Sequence, residues 1–184
     1  MSAEANKPSK NRLFFALWPD EAVIEAVERM RGELGLDQGR PVPQENLHIT
    51  LLFLGDVPDE TLDDLKALAD RLALASCEIV LDRLEHWVRP AVLCLTASEV
   101  PEPVAELVNQ LKRGVRKLGF KPEKRPFRPH LTLARKVRRR VGERQIEPVR
   151  WPVRDFVLVK SDRDDQGSRY TILGRWPRSR EAVP

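Results

Sequence analysis

The chain has 184 residues, 41% of them hydrophobic and 33% charged, with a formal net charge of +4. That length suits one ordinary domain with a sizeable core, and the charge permits an anionic partner without requiring one. No segment approaches the roughly 18 uninterrupted apolar residues of a membrane span, and Met1 to Lys10 has no apolar run of the secretory type, so the expected compartment is the cytoplasm.

After ten residues expected to be loose, Leu13-Phe14-Phe15-Ala16-Leu17-Trp18 predicts a buried strand. Pro19-Asp20-Glu21 ends it and suits a helix start. Ala22, Val23, Ala26, Val27, Met30 and Leu34 then recur at helical spacing, giving a helix to about Glu33. Residues 36 to 45 read as a turn-rich connection. A strand from Asn46 to Leu54 follows, closed by Gly55-Asp56, and a second helix opens at Val57-Pro58-Asp59-Glu60 and runs to near Leu74. Cys77 to Trp87 and Ala91 to Thr96 form a predicted hairpin around Val88 to Pro90. This places Cys94 opposite the region of Arg83, far from Cys77, so the two cysteines read as small hydrophobes rather than a disulfide.

A third helix follows Pro101 and Pro103, carries Val104, Leu107, Val108, Leu111, Val115 and Leu118 on one face, and stops at Gly119. Phe120 to Phe127 is a basic connection to a strand at Arg128 to Arg135. Arg138-Arg139-Arg140 comes next, then a loop containing Pro148 and Pro152. Two last strands lie near Val153 to Lys160 and Arg169 to Trp176, with Ser161 to Ser168 as their turn. The four tryptophans read mainly as core and edge packing.

Strands that follow one another directly, mixed with helices, indicate an α+β fold with antiparallel sheets rather than a doubly wound parallel sheet. The order strand, helix, strand recurs in each half. Two pseudo-symmetric lobes would then face each other across a central cleft. We take residues 11–177 as a single two-lobed domain, with 1–10 and 178–184 as flexible termini.

The second strand of each half carries the same pattern: His48-Ile49-Thr50-Leu51 and His130-Leu131-Thr132-Leu133. In an extended chain, successive side chains alternate between faces. His48 and Thr50 therefore share a face, as do His130 and Thr132, while the aliphatic residues turn to a core. Histidine titrates near neutrality, so a pair can offer a base and an acid together. The reaction best suited to that pair is displacement at phosphorus, one imidazole taking a proton from the entering oxygen and the other giving one to the leaving oxygen. The threonine hydroxyls can donate to the non-bridging oxygens.

These motifs resemble the two signatures of the 2H phosphoesterase superfamily, and the chain as a whole resembles its bacterial branch of RNA 2′,3′-cyclic phosphodiesterases, also known as 2′-5′ RNA ligases. The resemblance runs from Phe14-Phe15 through Asn46-Leu47-His48 and Arg125-Pro126-Phe127 to Trp176. It implies a two-lobed fold with pseudo-twofold symmetry and metal-independent opening of RNA 2′,3′-cyclic phosphate ends to 2′-phosphomonoesters, with no cofactor. By position, His48 would protonate the leaving ribose oxygen, His130 would activate water, and Thr50 and Thr132 would bind phosphate. The family often has a further phosphate-binding cation after the second motif, which here is Arg135. Strict alternation puts Arg135 on the face opposite His130, so it reaches the cleft only through a twist or bulge.

The remaining histidine, His86, has no companion and reads as structural or exposed. The scattered histidines and cysteines show none of the short paired spacings of a zinc site. The basic run from Arg135 to Arg144 is either a solvated loop or a guide for RNA. The expected partners are RNA ends or small cyclic nucleotides, without membrane or metal, and the chain is expected to be a monomer. Two other readings stay open: an RNA-end or nucleotide-binding module without turnover, and reversible 2′-5′ RNA ligation.

Overall fold

The computed structural model describes residues 10–35, 38–164 and 167–177, so the expected loose termini lie outside the described residues, Lys10 excepted. In chain order the elements are β1 (Lys10–Leu17), α1 (Glu21–Glu33), β2 (Arg40–Pro41), β3 (Ile49–Pro58), α2 (Leu62–Ala69), β4 (Cys77–Trp87), β5 (Val92–Thr96), α3 (Glu102–Lys117), β6 (His130–Arg135), β7 (Arg144–Val153), β8 (Asp155–Asp164) and β9 (Gly167–Pro177). Single turns of 3₁₀ helix precede β3 and α2. No helix among the described residues is long and apolar enough to cross a membrane.

Local chemistry sets the helix ends. Asp20 caps α1 by accepting the Val23 N–H at 3.0 Å, which satisfies one of the donors a helix start leaves unpaired. Pro103 sits in the first turn of α3, where its missing N–H costs nothing. That helix stops at Leu118, and Gly119 takes the left-handed conformation (φ +88) that turns the chain away.

The strands form one antiparallel sheet in the order β7-β4-β5-β6-β3-β1-β8-β9, with β2 added beside β6. The expected duplication appears in that order. β1, α1 and β3 on one side match β5, α3 and β6 on the other, and β8 and β9 match β4 and β7. The halves meet at β3 and β6, which share a single residue pair, Ile49 with Leu131. Beyond it, β2 takes over the pairing with β6, Arg40 opposite Arg135 and Pro41 opposite Ala134.

Both motif strands carry the same irregularity. Phe15 pairs with Leu52 but Ala16 pairs with Thr50, leaving Leu51 as an extra residue. Leu93 pairs with Ala134 but Cys94 pairs with Thr132, leaving Leu133 extra. A bulge inserts one residue and resets the alternation beyond it. Leu51 and Leu52 are consequently both buried, as are Leu133 and Ala134. The next residue on each strand, Phe53 or Arg135, returns to the histidine face and is exposed.

The main core lies on the opposite face, where Leu13, Phe15, Ile49, Leu131 and Phe156 of the sheet meet Val27 of α1 and Leu107 and Leu111 of α3. Burying side chains of this size contributes about 1.5–3 kcal/mol each. A smaller cluster of Phe14, Ala16, Val157 and Val159, with Trp18 and Tyr170 packed against it, lies on the histidine face.

Several expected boundaries change. β3 does not close at Gly55-Asp56 but runs to Pro58, because β1 begins early enough to pair Lys10 with Pro58. The second helix ends at Ala69, well short of Leu74. The expected loop around Pro148 and Pro152 is the strand β7. It is an edge strand, whose outward N–H groups need no sheet partner, so proline is tolerated. Cys94 lies opposite Glu85 rather than Arg83, and both cysteines are free. β8 and β9 extend into the expected turn at Ser161 to Ser168, two residues of which lie outside the described residues.

Candidate active site

His48 immediately precedes β3 and His130 opens β6. Because the strands run antiparallel about Ile49 and Leu131, His48 stands level with Thr132, and Thr50 with His130. Diagonal neighbours in such a pair are about 7–8 Å apart, a separation into which a phosphate fits. Two openings receive the four side chains. His48 and Thr132 line a cavity of about 170 Å³, and Thr50 and His130 line an open groove of about 1130 Å³.

The two imidazoles are held in the same way. His48 Nδ1 lies 2.7 Å from the Asn46 carbonyl, and His130 Nδ1 lies 3.0 Å from the Arg128 carbonyl. A carbonyl only accepts, so each Nδ1 carries the hydrogen and donates it. In its neutral form each ring therefore keeps an unprotonated Nε2 for chemistry. Asn46 is fixed in turn by its side-chain amide, which donates to the Ser168 carbonyl at 2.9 Å.

The surroundings differ. Trp18 stacks on His48 at 5.5 Å between ring centroids with 9° between planes, while Phe14 and Tyr170 lie at 5.1 Å. Burial pushes His48 down to about 4 against the pull of the Asn46 carbonyl, and the charges of Arg135 and His130 lower it further. His130 packs against Trp87 at 4.6 Å. Burial also lowers its pKa, opposed by the Arg128 carbonyl and reinforced by the Arg128 and Arg135 cations.

Behind His130 stands Glu85, only 4% exposed. Its carboxylate accepts from Arg128 at 2.5 and 2.7 Å, from Trp87 Nε1 at 2.9 Å and from Thr96 Oγ1 at 2.9 Å. Burial would raise its pKa, but the hydrogen bonds from Trp87 and Thr96, with the Arg128 and Arg83 charges, bring it below the ordinary value. Glu85 thus ties down both groups that hold His130: the residue whose carbonyl anchors the ring, and the indole beside it.

The bulge in β6 resolves the placement of Arg135. It brings the side chain onto the histidine face, where it lines the cavity with His48 and Thr132. β2 approaches closely enough to add Arg40 to that cavity because Gly39 has no side chain; a Cβ there would lie 2.5 Å from the Arg135 carbonyl oxygen. Thr132 Oγ1 also lies 3.8 Å from Cys94 Sγ, whose thiol burial pushes up to about 11.

The tryptophans read in the sequence as packing, which Trp151 is, but Trp18 and Trp87 are walls of the histidine sites. Glu85 and Tyr170 had no signal in the motifs. The interruption of alternating burial at Leu84-Glu85-His86, three buried residues in a row, is where a carboxylate in an apolar strand could have signalled a partner. His86 is structural: Nε2 donates to the Val137 carbonyl and Nδ1 accepts the Val141 N–H, both at 3.2 Å. It pins the loop that presents the exposed Arg138, Arg139 and Arg140. Among the described residues no group of three or more His, Cys, Asp or Glu is placed to hold a metal ion.

Residues 18–165 match the family model of the 2′-5′ RNA ligase superfamily. The chain belongs to that superfamily. It is 34% identical over 170 residues to the RNA 2′,3′-cyclic phosphodiesterase of Escherichia coli K12, covering 90% of this chain and 95% of that one. It is 35% identical over 193 residues to the protein of the same name from Thermus thermophilus, covering 90% and 89%. The crystal structure of E. coli LigT complexed with 3′-AMP superposes with a TM-score of 0.82 at 32% identity, covering 93% of this chain and 99% of that chain. The superfamily is the one the two His-x-Thr motifs pointed to, and the LigT structure shares this α+β architecture.

Proposed function

We propose that this protein hydrolyses RNA 2′,3′-cyclic phosphate ends to 2′-phosphomonoesters by two-histidine acid/base catalysis. The observation that carries the reading is the pair of imidazoles, each anchored through Nδ1 and each level with the threonine of the other strand. The names of the E. coli and Thermus relatives and the 3′-AMP complex of LigT support the substrate class.

In this reading the phosphate sits between the histidines. His130 Nε2 takes a proton from water as the water oxygen bonds to phosphorus, the P–O3′ bond breaks, and His48 gives its proton to O3′. The 2′ oxygen keeps the phosphate. Thr50, Thr132 and Arg135 bind the non-bridging oxygens, where charge is held in the transition state. The lower pKa of His48 makes it the stronger acid, and His130 is the better base. A protonated His48 beside a neutral His130 is a minor state of the empty cleft, so the phosphate anion must draw in the proton. Residues 11–177 work here as one two-lobed unit, a cytoplasmic monomer that uses no metal.

The test is incubation with a short RNA ending in a 2′,3′-cyclic phosphate, with chelator present, separating 2′- from 3′-phosphate products. The wild type is expected to yield the 2′-phosphate, and His48→Ala and His130→Ala each to lose roughly 10²-fold or more in turnover. Full activity in both variants would refute the mechanism. Stoichiometric capture without turnover would leave the RNA-end binding module. A 2′-5′ joined product from two RNA halves would indicate ligation.

A further inference from the structure

We propose that the open groove on the His130 side of the cleft binds single-stranded RNA, with Phe53 as a platform for a nucleobase and Lys112 and Lys121 as contacts for backbone phosphates. The inference rests on the function proposed above only for the kind of polymer; Phe53, Lys112 and Lys121 are side chains which that function does not use.

The two motif strands place equivalent side chains on the cleft after their bulges. On β6 that side chain is Arg135, beside His48 and Thr132. On β3 it is Phe53, which lines the groove with Thr50 and His130. One position thus carries a cation in one half and an aromatic ring in the other. Phe53 is 48% exposed, and it is the one aromatic among the exposed large hydrophobic side chains of the described residues. It packs no core, and a solvent-facing phenyl next to a phosphate-sized gap has an evident use as a stacking surface. Arg12 lies over its ring, 4.6 Å from the centroid, which fixes the ring and adds positive charge beside it.

The rest of the groove has matching chemistry. Arg89, Lys112, Lys121, Arg125 and Arg128 line it. The lining carboxylate, Glu123, is already paired with Arg125 at 2.5 Å. Trp87 and Phe127 supply further aromatic surface. Its volume of about 1130 Å³ against about 170 Å³ on the His48 side far exceeds what one phosphate and one water need. Cations along an open groove, beside the exposed ring of Phe53 and the half-buried rings of Trp87 and Phe127, suit a strand whose bases are unpaired and free to stack. A duplex would bury its base faces and could not use Phe53.

The experiment measures equilibrium binding by fluorescence anisotropy across a salt series. The probes are a short labelled single-stranded RNA ending in a 2′-phosphate and an abasic strand of equal length. Wild type should prefer the RNA. Phe53→Leu should weaken RNA binding by about 5- to 50-fold, leave the abasic strand alone and leave the salt slope unchanged. Phe53→Tyr should restore binding. Lys112→Ala with Lys121→Ala should weaken both probes and reduce the salt slope by about 0.7 for each phosphate no longer neutralised.

Equal binding of the two probes by wild type and Phe53→Leu would overturn the platform and leave a general anion groove. A salt slope unmoved by the double lysine variant would overturn the phosphate track. The substituted side chains are solvent-facing or on the groove wall, and the thermal transition of each variant checks that it folds. Because binding is read without turnover, failure of the hydrolysis assay counts against the proposed function, while failure here counts against the groove.

Discussion

His48 and His130 hold equivalent places in their halves, yet one is enclosed by Phe14, Trp18 and Tyr170 while the other leans on Trp87 beside an ion-paired network of Glu85 and Arg128. The backbone is nearly repeated: the same carbonyl anchor two residues upstream, the same threonine two residues downstream, the same bulge after it. The side chains around it are not. In the mechanism proposed above the repeated backbone sets an imidazole on each side of the phosphate, and separate acid and base roles are best served by two different proton affinities. Unlike walls supply these by desolvating one imidazole more deeply.

The largest effect expected from breaking this contrast is on the polar side. Glu85→Ala leaves Arg128, Trp87 and Thr96 without their shared acceptor. It should cost on the order of 1–3 kcal/mol in stability and lower kcat by roughly tenfold or more. Glu85→Gln retains an acceptor and should recover much of both. Urea unfolding and steady-state turnover give the two numbers, and an unchanged kcat for Glu85→Ala would remove Glu85 as a positioning residue.

The aromatic side should show itself in acid. His48 has a folded pKa of about 4 against 6.5 for the free side chain. Between those values the unfolded chain binds the proton and the folded one does not, so stability rises with pH across that window. The contribution is fully present above about pH 6.5 and lost as pH falls towards 4, on the order of 2–3 kcal/mol. Denaturation curves through the window should flatten in His48→Phe. A wild-type curve without that slope would mean that His48 is protonated in the folded state as easily as in water.

A smaller signal should accompany ligand binding. If the phosphate draws a proton onto His48, a nucleoside phosphorothioate diester, whose own charge does not titrate near neutrality, should bind at pH 7 with uptake of up to one proton. Calorimetry in two buffers of different ionisation enthalpy measures it. Identical heats in both would take the acid's role away from His48. Smallest of all, Trp18→Leu should let water reach the ring and move the His48 pKa back towards 6.5, followed by NMR titration, with only a few-fold change in turnover.

Much of this was legible in the sequence. The motif strands, the order of helices and the duplicated layout follow from short apolar runs, proline and glycine stops, and the His-x-Thr repeat. Proline misled at β7, since edge position is a property of the assembled sheet and not of the segment. The bulges were present as a pair of adjacent apolar residues after each threonine, Leu51-Leu52 and Leu133-Ala134, but strict alternation hid what they meant for Arg135 and Phe53. The walls of the histidine sites were the least visible. Trp18, Tyr170 and Glu85 arrive from β-strand ends and a neighbouring strand far along the chain, with no local spacing to reveal them.

The single residue pair between β3 and β6 gives Ile49 and Leu131 a part, in the mechanism proposed above, that neither could play by touching substrate. Beyond that pair β3 and β6 diverge, and the backbone link between the halves passes to the short β2 on β6. Beneath the pair both side chains are fully buried in the core. In that mechanism, interior volume would then act as a ruler for the proton-transfer distance, and Ile49→Val is expected to lower turnover while every polar group remains in place.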